Sequence, residues 1–190
     1  YHKAKNEFKN LGIEIGNVKL NLPQMMENKN KSVSSLTKGI EFLFKKNKVT
    51  HIKGKGSIFD SNTVTVEDDS GKKTNYNTKN IVIGTGSSPT SLPDINIDEK
   101  YIVSSTGALS FNEVPKKLIV IGGGYIGLEL SSLWKRLGSE VAVIEYLDHI
   151  IPGMDIDISN EFLRILKKQG LNFKLDSKVT KANIIKNDFK

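Results

Sequence analysis

The sequence predicts an α/β fold in which a small antiparallel meander is followed by a parallel sheet. Three observations support this prediction. Residues 49–78 alternate short β-branched runs with turn residues. Residues 117–144 follow the order strand, glycine turn, helix and strand, which is one β-α-β unit. The short, continuously apolar run at residues 80–83 is typical of a strand that is buried on both faces.

The composition is that of an ordinary soluble globular protein. Of the 190 residues, 37% are hydrophobic and 26% are charged. No apolar run approaches the roughly 20 residues of a membrane-spanning helix, so we expect no membrane association. The segment Tyr1–Lys5 has neither an initiating Met nor the apolar core of a signal peptide. Because the chain contains no cysteine, these residues include no disulfide, no Cys-ligated metal and no thiol nucleophile.

The formal net charge of +7 indicates either a lysine-rich solvated surface or a nucleic-acid partner. The lysines are scattered, and no aromatic interleaving, zinc-ligand spacing or RNA-binding signature accompanies them. The three histidines, at His2, His51 and His149, are far apart and have no metal-ligand spacing. We therefore expect no nucleic-acid partner and no metal site.

The first half of the chain combines one helix with short strands. A helix is predicted over residues 23–47, because apolar residues recur three or four positions apart. These residues are Val33, Leu36, Ile40 and Leu43. The meander starts with an alternating pattern near Val49, and the apolar strand at residues 80–83 ends in Gly84-Thr85-Gly86-Ser87. Residues 88–115 hold three of the five prolines, which predicts a connector and a domain boundary near Ser88.

The second half of the chain alternates strands and helices. Strands are predicted at residues 117–121 and 140–144, with a helix from Tyr125 to Leu137 that Gly138 ends. A further helix is predicted over residues 157–169, followed by a strand at residues 172–175. The apolar face of that helix is expected to comprise Ile158, Phe162, Ile165 and Leu166.

The glycine turn between the strand and the helix carries the chemistry. Gly122-x-Gly124-x-x-Gly127 directly follows a strand and opens a helix, which is the context that a dinucleotide-binding loop requires. Gly122 allows the tight turn, Gly124 lets a diphosphate approach the backbone, and Gly127 lets helix and strand pack closely. The unpaired N–H groups at the start of the helix attract the anion. A glycine-rich turn in an ordinary parallel sheet is the alternative interpretation.

Glu145 closes the second strand, 18 residues after Gly127. Its carboxylate is placed to accept hydrogen bonds from a ribose 2′-hydroxyl and to repel a 2′-phosphate. No arginine follows at Tyr146, Leu147 or Asp148. The sequence therefore favours NAD(H) over NADP(H).

Six segments of the chain together form a recognisable pattern. They are Ser104-Ser105-Thr106-Gly107-Ala108-Leu109, Val114-Pro115, residues 120–129, residues 80–87, residues 133–138 and residues 167–170. With these segments the sequence resembles the dihydrolipoamide dehydrogenase branch of the pyridine nucleotide–disulfide oxidoreductases, and the similarity extends over essentially the whole chain. The resemblance implies a partial FAD-binding domain with the antiparallel meander over residues 1–88. A Rossmann-type NAD-binding domain with a parallel sheet, truncated at its C-terminus, would follow over residues 89–190.

The resemblance also implies the site residues. On the FAD side they are Gly56, Thr85, Gly86 and Ser87. On the NAD side they are Gly122, Gly123, Gly124, Tyr125, Ile126, Gly127, Leu128, Glu129, Glu145 and Val179. In some relatives the residue matching Tyr125 covers the nicotinamide pocket, Glu129 matches an acid near nicotinamide and flavin, and Val179 matches a backbone contact near the adenine.

Each of these residues also has a purely structural interpretation. Gly56 would be a turn or bulge glycine, and residues 85–87 would be a strand-end turn. Tyr125 would pack on the sheet, and Glu129 would be an acid placed in the first helical turn by the helix dipole. Val179 would belong to the core.

The family's redox-active Cys pair and its His–Glu acid–base pair match nothing in this chain. We therefore assign no catalytic residue and expect the isolated chain to show little or no dehydrogenase activity.

By resemblance, the parent enzyme oxidises protein-bound dihydrolipoamide and passes electrons through a disulfide and FAD to NAD+. Its partners would be lipoyl-bearing subunits of 2-oxo acid dehydrogenase or glycine-cleavage complexes. The complete enzyme would be a homodimer in the cytoplasm or the mitochondrial matrix. Another flavin disulfide reductase and a non-catalytic nucleotide-binding module are the alternatives.

Overall fold

The computed structural model describes residues 1–184. They form two compact units, one containing residues 27–88 and the other containing residues 1–26 and the chain from residue 89 onward. The predicted division into residues 1–88 and 89–190 stays a prediction. Helices α1 to α5 lie at His2–Asn6, Leu22–Lys46, Ser105–Ala108, Tyr125–Leu137 and Ile156–Lys168, with a 3-10 turn at Phe8–Leu11. Strands β1 to β6 lie at Lys55–Asp60, Thr63–Glu67, Lys73–Asn77, Lys117–Ile121, Glu140–Ile144 and Asn172–Lys174.

Strands β1, β2 and β3 form an antiparallel sheet in that order, which confirms the predicted meander. The first strand begins at Lys55, however, and not near Val49. Residues after α2 fold back on the end of that helix instead of pairing. The N–H of Val49 donates to the carbonyl of Phe44 at 2.9 Å, and the rings of Phe44 and His51 lie 5.5 Å apart. The backbone near Val49 therefore hydrogen-bonds to the end of helix α2 and does not form the strand that the alternating pattern predicted.

The predicted strand at residues 80–83 is wrong, since this segment has no regular secondary structure. Val82 is 91% exposed and Ile83 is 70% exposed. A continuously apolar strand is stable only where neighbouring strands pair with it and other layers cover both of its faces. Among residues 1–184, no strand pairs with this segment.

Strands β4, β5 and β6 form a parallel sheet in that order, and helix α4 connects the first two. This confirms the predicted β-α-β unit. The parallel register places Ile121, the last residue of β4, beside Ile144, the last residue of β5. Apolar side chains from these strands, from helices α4 and α5 and from the loops between them form the core. Its buried members are Leu128, Val141, Val143, Ile150, Leu166 and Leu171.

Helix α5 forms close to its predicted position but packs through a different face. Ile158 is 55% exposed and Ile165 is 40% exposed, so two of the four predicted face residues point to solvent. The packed face instead comprises Ser159, Phe162, Leu163 and Leu166, which are spaced three and four residues apart. Asp155 caps the helix, since its carboxylate accepts the N–H of Asp157 at 2.9 Å.

The connector that follows residue 88 contains the short helix α3 and contacts helix α4. Ser104 caps α3 by accepting the N–H of Thr106 at 3.2 Å. Trp134, which is 1% exposed, donates its indole N–H to the carbonyl of Ala108 at 3.1 Å. The ring of Phe111 lies 5.2 Å from that of Trp134. Within residues 1–184, no helix has the length and apolar character needed to cross a membrane.

Candidate dinucleotide-binding site

The chain turns sharply where β4 ends. Gly122 has φ +104°, a backbone conformation that residues with a Cβ rarely adopt. Its N–H donates to the carbonyl of Ile144 at 2.8 Å, which ties the turn to the end of β5. The turn thus lies at the carboxyl edge of the parallel sheet, where ligands bind in folds of this kind.

The other two glycines of the motif face different surroundings. A Cβ built on Gly124 would meet no atom within 4 Å. A Cβ built on Gly127 would lie 3.0 Å from the carbonyl oxygen of Gly122 and 3.1 Å from Cγ1 of Val120. Gly127 therefore allows helix α4 to pack closely on β4, whereas Gly124 leaves an open approach to the main chain.

Helix α4 begins at this open approach. Gly124 is its N-cap residue, and no side chain caps the helix. The first turn holds no acidic residue, and the last turn holds Lys135 and Arg136, which complement the helix dipole. The exposed N-terminal N–H groups can therefore bind an anion.

Glu145 lies against the glycine loop and is 8% exposed. Its Oε2 accepts a short hydrogen bond from the N–H of Gly123, and its Oε1 accepts the N–H of Leu147 at 2.8 Å. A carboxylate oxygen has two lone pairs, so each oxygen can accept one further hydrogen bond. The carboxylate is thus held at the edge of the loop, and it can still accept bonds from the hydroxyls of a sugar.

The segment after Glu145 carries no Lys or Arg from Tyr146 to Ile151. Tyr146 is 68% exposed, and Nδ1 of His149 lies 2.6 Å from Oδ1 of Asp148. This hydrogen bond lowers the pKa of the Asp148 carboxyl below its ordinary value. From Glu145 to Ile151 the chain therefore carries two carboxylates, those of Glu145 and Asp148, and none of the basic side chains that a 2′-phosphate would require.

The structure places five residues predicted on the NAD side in different environments. Tyr125 is 70% exposed at the start of the helix, so the interpretation that it packs on the sheet is wrong. Glu129 is exposed and lies beyond the first turn, so the interpretation as a first-turn acid is also wrong. Val179 is half-buried and lies outside the strands. Ile126 is 49% exposed, whereas Leu128 is fully buried in the core.

The residues predicted on the FAD side belong to the other unit. Gly56 lies inside strand β1 opposite Val66, and the register irregularity of that strand falls between Ile58 and Asp60. Gly56 is therefore neither a turn nor a bulge glycine. Residues 85–87 are exposed and irregular, and Gly86 has φ +76°. Because residues 80–83 form no strand, the interpretation of residues 85–87 as a strand-end turn is wrong as well.

Two hydrogen bonds behind the glycine loop were not anticipated from the sequence. The N–H of Ile151 donates to the carbonyl of Gly123 at 2.8 Å. The hydroxyl of Ser159 donates to the carbonyl of Ile150 at 2.7 Å. Ser159 lies on helix α5, far along the chain from the loop, and no local sequence pattern predicts such a contact.

The residues around the loop fit a dinucleotide. The surface above Gly124 is open, no side chain caps the backbone N–H groups at the start of α4, and the Glu145 carboxylate is anchored beside them. Within the described part of the chain, no group of three or more His, Cys, Asp or Glu side chains could hold a metal ion.

Comparisons with known proteins show to which family and fold the chain is similar. The family model described as pyridine nucleotide-disulphide oxidoreductase matches residues 2–189. The chain is 59% identical over 180 residues to a dihydrolipoamide dehydrogenase of Chaetomium thermophilum. It is 53% identical over 179 residues to a mitochondrial dihydrolipoyl dehydrogenase of Pisum sativum. Each alignment covers 94% of this chain but 36% of the relative, so the chain spans about a third of their length.

Solved structures share the fold. LpdA of Mycobacterium tuberculosis superposes with a TM-score of 0.83 at 22% identity, over 95% of this chain and 40% of that one. The HOCl-induced flavoprotein disulfide reductase RclA of Escherichia coli, as a Cu(II) complex, superposes with a TM-score of 0.74 at 28% identity. That alignment covers 86% of this chain and 37% of RclA.

Proposed function

The chain belongs to the pyridine nucleotide-disulphide oxidoreductase family, and from this we propose that the unit containing β4, α4 and β5 binds NAD(H). The expected resemblance to dihydrolipoamide dehydrogenases is confirmed by relatives 53–59% identical to the chain. The observation that carries the proposal is the open main chain at Gly124 beside the anchored carboxylate of Glu145. A dinucleotide needs this combination of an anion site and a sugar acceptor.

The roles of the loop residues follow from their surroundings. The diphosphate would lie against Gly124 and the first N–H groups of helix α4. Glu145 would accept the hydroxyls of the adenosine ribose, and the backbone at Val179 would lie near the adenine. Because a carboxylate repels a 2′-phosphate and no basic side chain follows it, the site would select NAD(H) over NADP(H).

Tyr125 and Glu129 are proposed to act near the nicotinamide. Both side chains are exposed on the first turns of α4, next to the loop. The exposed ring of Tyr125 is free to cover the nicotinamide pocket and to move aside for the nucleotide. Glu129 would present its carboxylate on the same end of the helix.

A flavin site is proposed for the other unit. Its candidate residues are Gly56, Thr85, Gly86 and Ser87, and the support is the family resemblance together with their exposed backbone. Bound FAD would supply two-electron redox chemistry, while this chain's residues would bind and orient it.

The whole protein is proposed to be a dihydrolipoyl dehydrogenase. Relatives that are 53–59% identical carry this activity in their names. Its partners would be lipoyl-bearing subunits of 2-oxo acid dehydrogenase or glycine-cleavage complexes, and it would act as a homodimer in the mitochondrial matrix or the cytoplasm. The 190 residues contain no cysteine, so they supply no thiol for the disulfide step. A different flavin disulfide reductase is the second candidate, because RclA shares the fold at 28% identity.

Calorimetric titration of the 190-residue chain with NADH and with NADPH tests the proposal. We expect NADH to bind and NADPH to bind at least tenfold more weakly. Gly124→Leu should abolish binding without unfolding the protein, because the added side chain projects into open space. Gly39→Leu is the matched control, since a Cβ at Gly39 also meets nothing within 4 Å but lies in helix α2. Equal binding of NADH by wild type and Gly124→Leu would refute the proposal.

A further inference from the structure

Two peptide groups connect helix α5 to the glycine loop. The hydroxyl of Ser159 donates to the carbonyl of Ile150 at 2.7 Å. The next N–H in that same peptide group, from Ile151, donates to the carbonyl of Gly123 at 2.8 Å. The peptide that accepts this bond joins Gly123 to Gly124, the N-cap residue of helix α4.

The planarity of the peptide bond makes this connection directional. In a trans peptide the C=O and the following N–H point in opposite directions. The bond that holds the Gly123 carbonyl from behind therefore turns the N–H of Gly124 to the opposite side, away from Ile151. Among residues 1–184, no protein group accepts this N–H. It is one of the donors that the open surface above Gly124 offers to an anion.

The connection is buried and held under backbone strain. Ser159 is 1% exposed and Ile150 is fully buried, so water does not compete for their hydrogen bond. Ile151 has φ +45°, which is unfavourable for a β-branched residue. Such a conformation persists only where its surroundings enforce it, and here both polar groups of the peptide before Ile151 are hydrogen-bonded.

We propose that Ser159 is a positioning residue for diphosphate binding. Through the Ile150–Ile151 peptide it fixes the Gly123–Gly124 peptide and so orients the N–H of Gly124. Hydrogen bonds that are aligned in a chain also polarise one another, so the Gly124 N–H becomes a stronger hydrogen-bond donor. This inference rests on the proposed function, because it assigns to Ser159 a role in the same dinucleotide site.

Ser159→Ala tests the inference, with Ser131→Ala as a matched control. Ser131 is also a fully buried serine on a helix next to the sheet, but its hydroxyl has no hydrogen-bond partner among the described residues. We expect Ser159→Ala to weaken NADH and ADP-ribose binding about three- to tenfold, the range of one hydrogen bond. Affinity for adenosine, which lacks the diphosphate, should change less than twofold. Ser131→Ala should leave all three affinities unchanged.

The outcomes separate this inference from the proposed function. If the wild-type chain does not bind NADH, the proposed function fails. If wild type binds but Ser159→Ala behaves like Ser131→Ala, only the role of Ser159 is overturned. Equal weakening of adenosine and ADP-ribose by Ser159→Ala would also overturn it, because that pattern indicates a general loosening of the site.

A measurement on the wild-type protein covers the case in which Ser159→Ala does not fold. In NMR spectra, ADP-ribose should shift the amide proton of Gly124 downfield and shift that of Ile151 in the same direction. The two amides respond together because they belong to one hydrogen-bonded series. A shift of Gly124 with no change at Ile151 would overturn the inference.

Discussion

The two units of the chain bury their apolar side chains to very different extents. In the unit with the parallel sheet, Leu128, Val141 and Val143 are completely enclosed. In residues 27–88 no residue is buried, and on helix α2 Leu36 is 71% exposed. Both units nevertheless have well-formed hydrogen-bonded elements. Secondary structure can therefore form from local pairing, whereas rigidity requires apolar layers on either side of it.

This difference determines where a preformed site can exist. The glycine loop is held by Glu145 on one side and by Ile151 on the other; Ile151 packs against the core, and Glu145 is itself buried. Residues 85–87 have no such support, since they are exposed and irregular. The glycine loop of the parallel-sheet unit is therefore held in its conformation by contacts within the protein. Residues 85–87 would be ordered only by the ligand or by other protein that contacts them.

The largest expected effect is on stability. Leu128→Ala should lower the free energy of unfolding by about 2–5 kcal/mol, because it leaves a cavity in the core beneath α4. Leu36→Ala, the matched control in the other unit, should change it by less than about 0.5 kcal/mol, since that side chain is 71% exposed. Urea denaturation followed by circular dichroism measures both.

Equal destabilisation by Leu128→Ala and Leu36→Ala would contradict the difference in burial between the two units. It would mean that the apolar face of α2 is covered in solution. The residues of that face are Val33, Leu36, Ile40 and Leu43.

The parallel-sheet unit was also the more predictable from sequence, because its motif and strands follow one another along the chain. The turn at Gly122, the helix after it and the strand ending before Glu145 all follow from local pattern. The prediction of a strand at residues 80–83 was wrong, because a buried strand depends on neighbouring strands and covering layers that a local sequence pattern cannot reveal.

For the same reason, the sequence did not predict which face of a helix is buried or which distant residues support the glycine loop. In α5 the spacing of apolar residues placed Ile158 and Ile165 on the packed face, whereas the structure buries Ser159 and partly buries Leu163. A serine was overlooked because its burial depends on its bond to the Ile150 carbonyl, which lies on a separate loop. The roles of Glu145 and Gly124 in cofactor binding stay predictions.

The next largest effect is a change in stability, which should have opposite signs when alanine replaces two different glycines. Gly127→Ala should destabilise the protein by about 1 kcal/mol, since its Cβ would lie 3.0 Å from the backbone oxygen of Gly122, which cannot easily move. Gly56→Ala should stabilise it by about 0.5 kcal/mol, because its Cβ meets nothing and its backbone conformation suits alanine. Thermal unfolding of both variants measures whether each substitution raises or lowers the stability. Destabilisation by Gly56→Ala would show that the strand surface around it is covered.

The smallest effect concerns pH and the turn between β2 and β3. Oδ1 of Asp68 accepts the Ser70 hydroxyl at 2.6 Å, the Ser70 N–H at 2.9 Å and the Lys72 N–H at 3.0 Å. The Ser70 hydroxyl, followed by the Lys72 N–H, lowers the pKa of Asp68 from its ordinary value of 3.8.

Because the folded-state pKa lies below the unfolded one, the carboxylate stabilises the turn fully above about pH 4. That contribution is lost as the pH falls through the folded pKa, so the turn between β2 and β3 should open more often in acid. Amide exchange at Ser70 and Lys72 between pH 5 and pH 2.5 measures this, after correction for the intrinsic pH dependence of exchange. Asp68→Asn should remove the pH dependence of turn opening, whereas Asp69→Asn should preserve it, because Asp69 accepts none of these bonds. Unchanged exchange at Ser70 and Lys72 over this pH range in the wild-type protein would contradict the expectation.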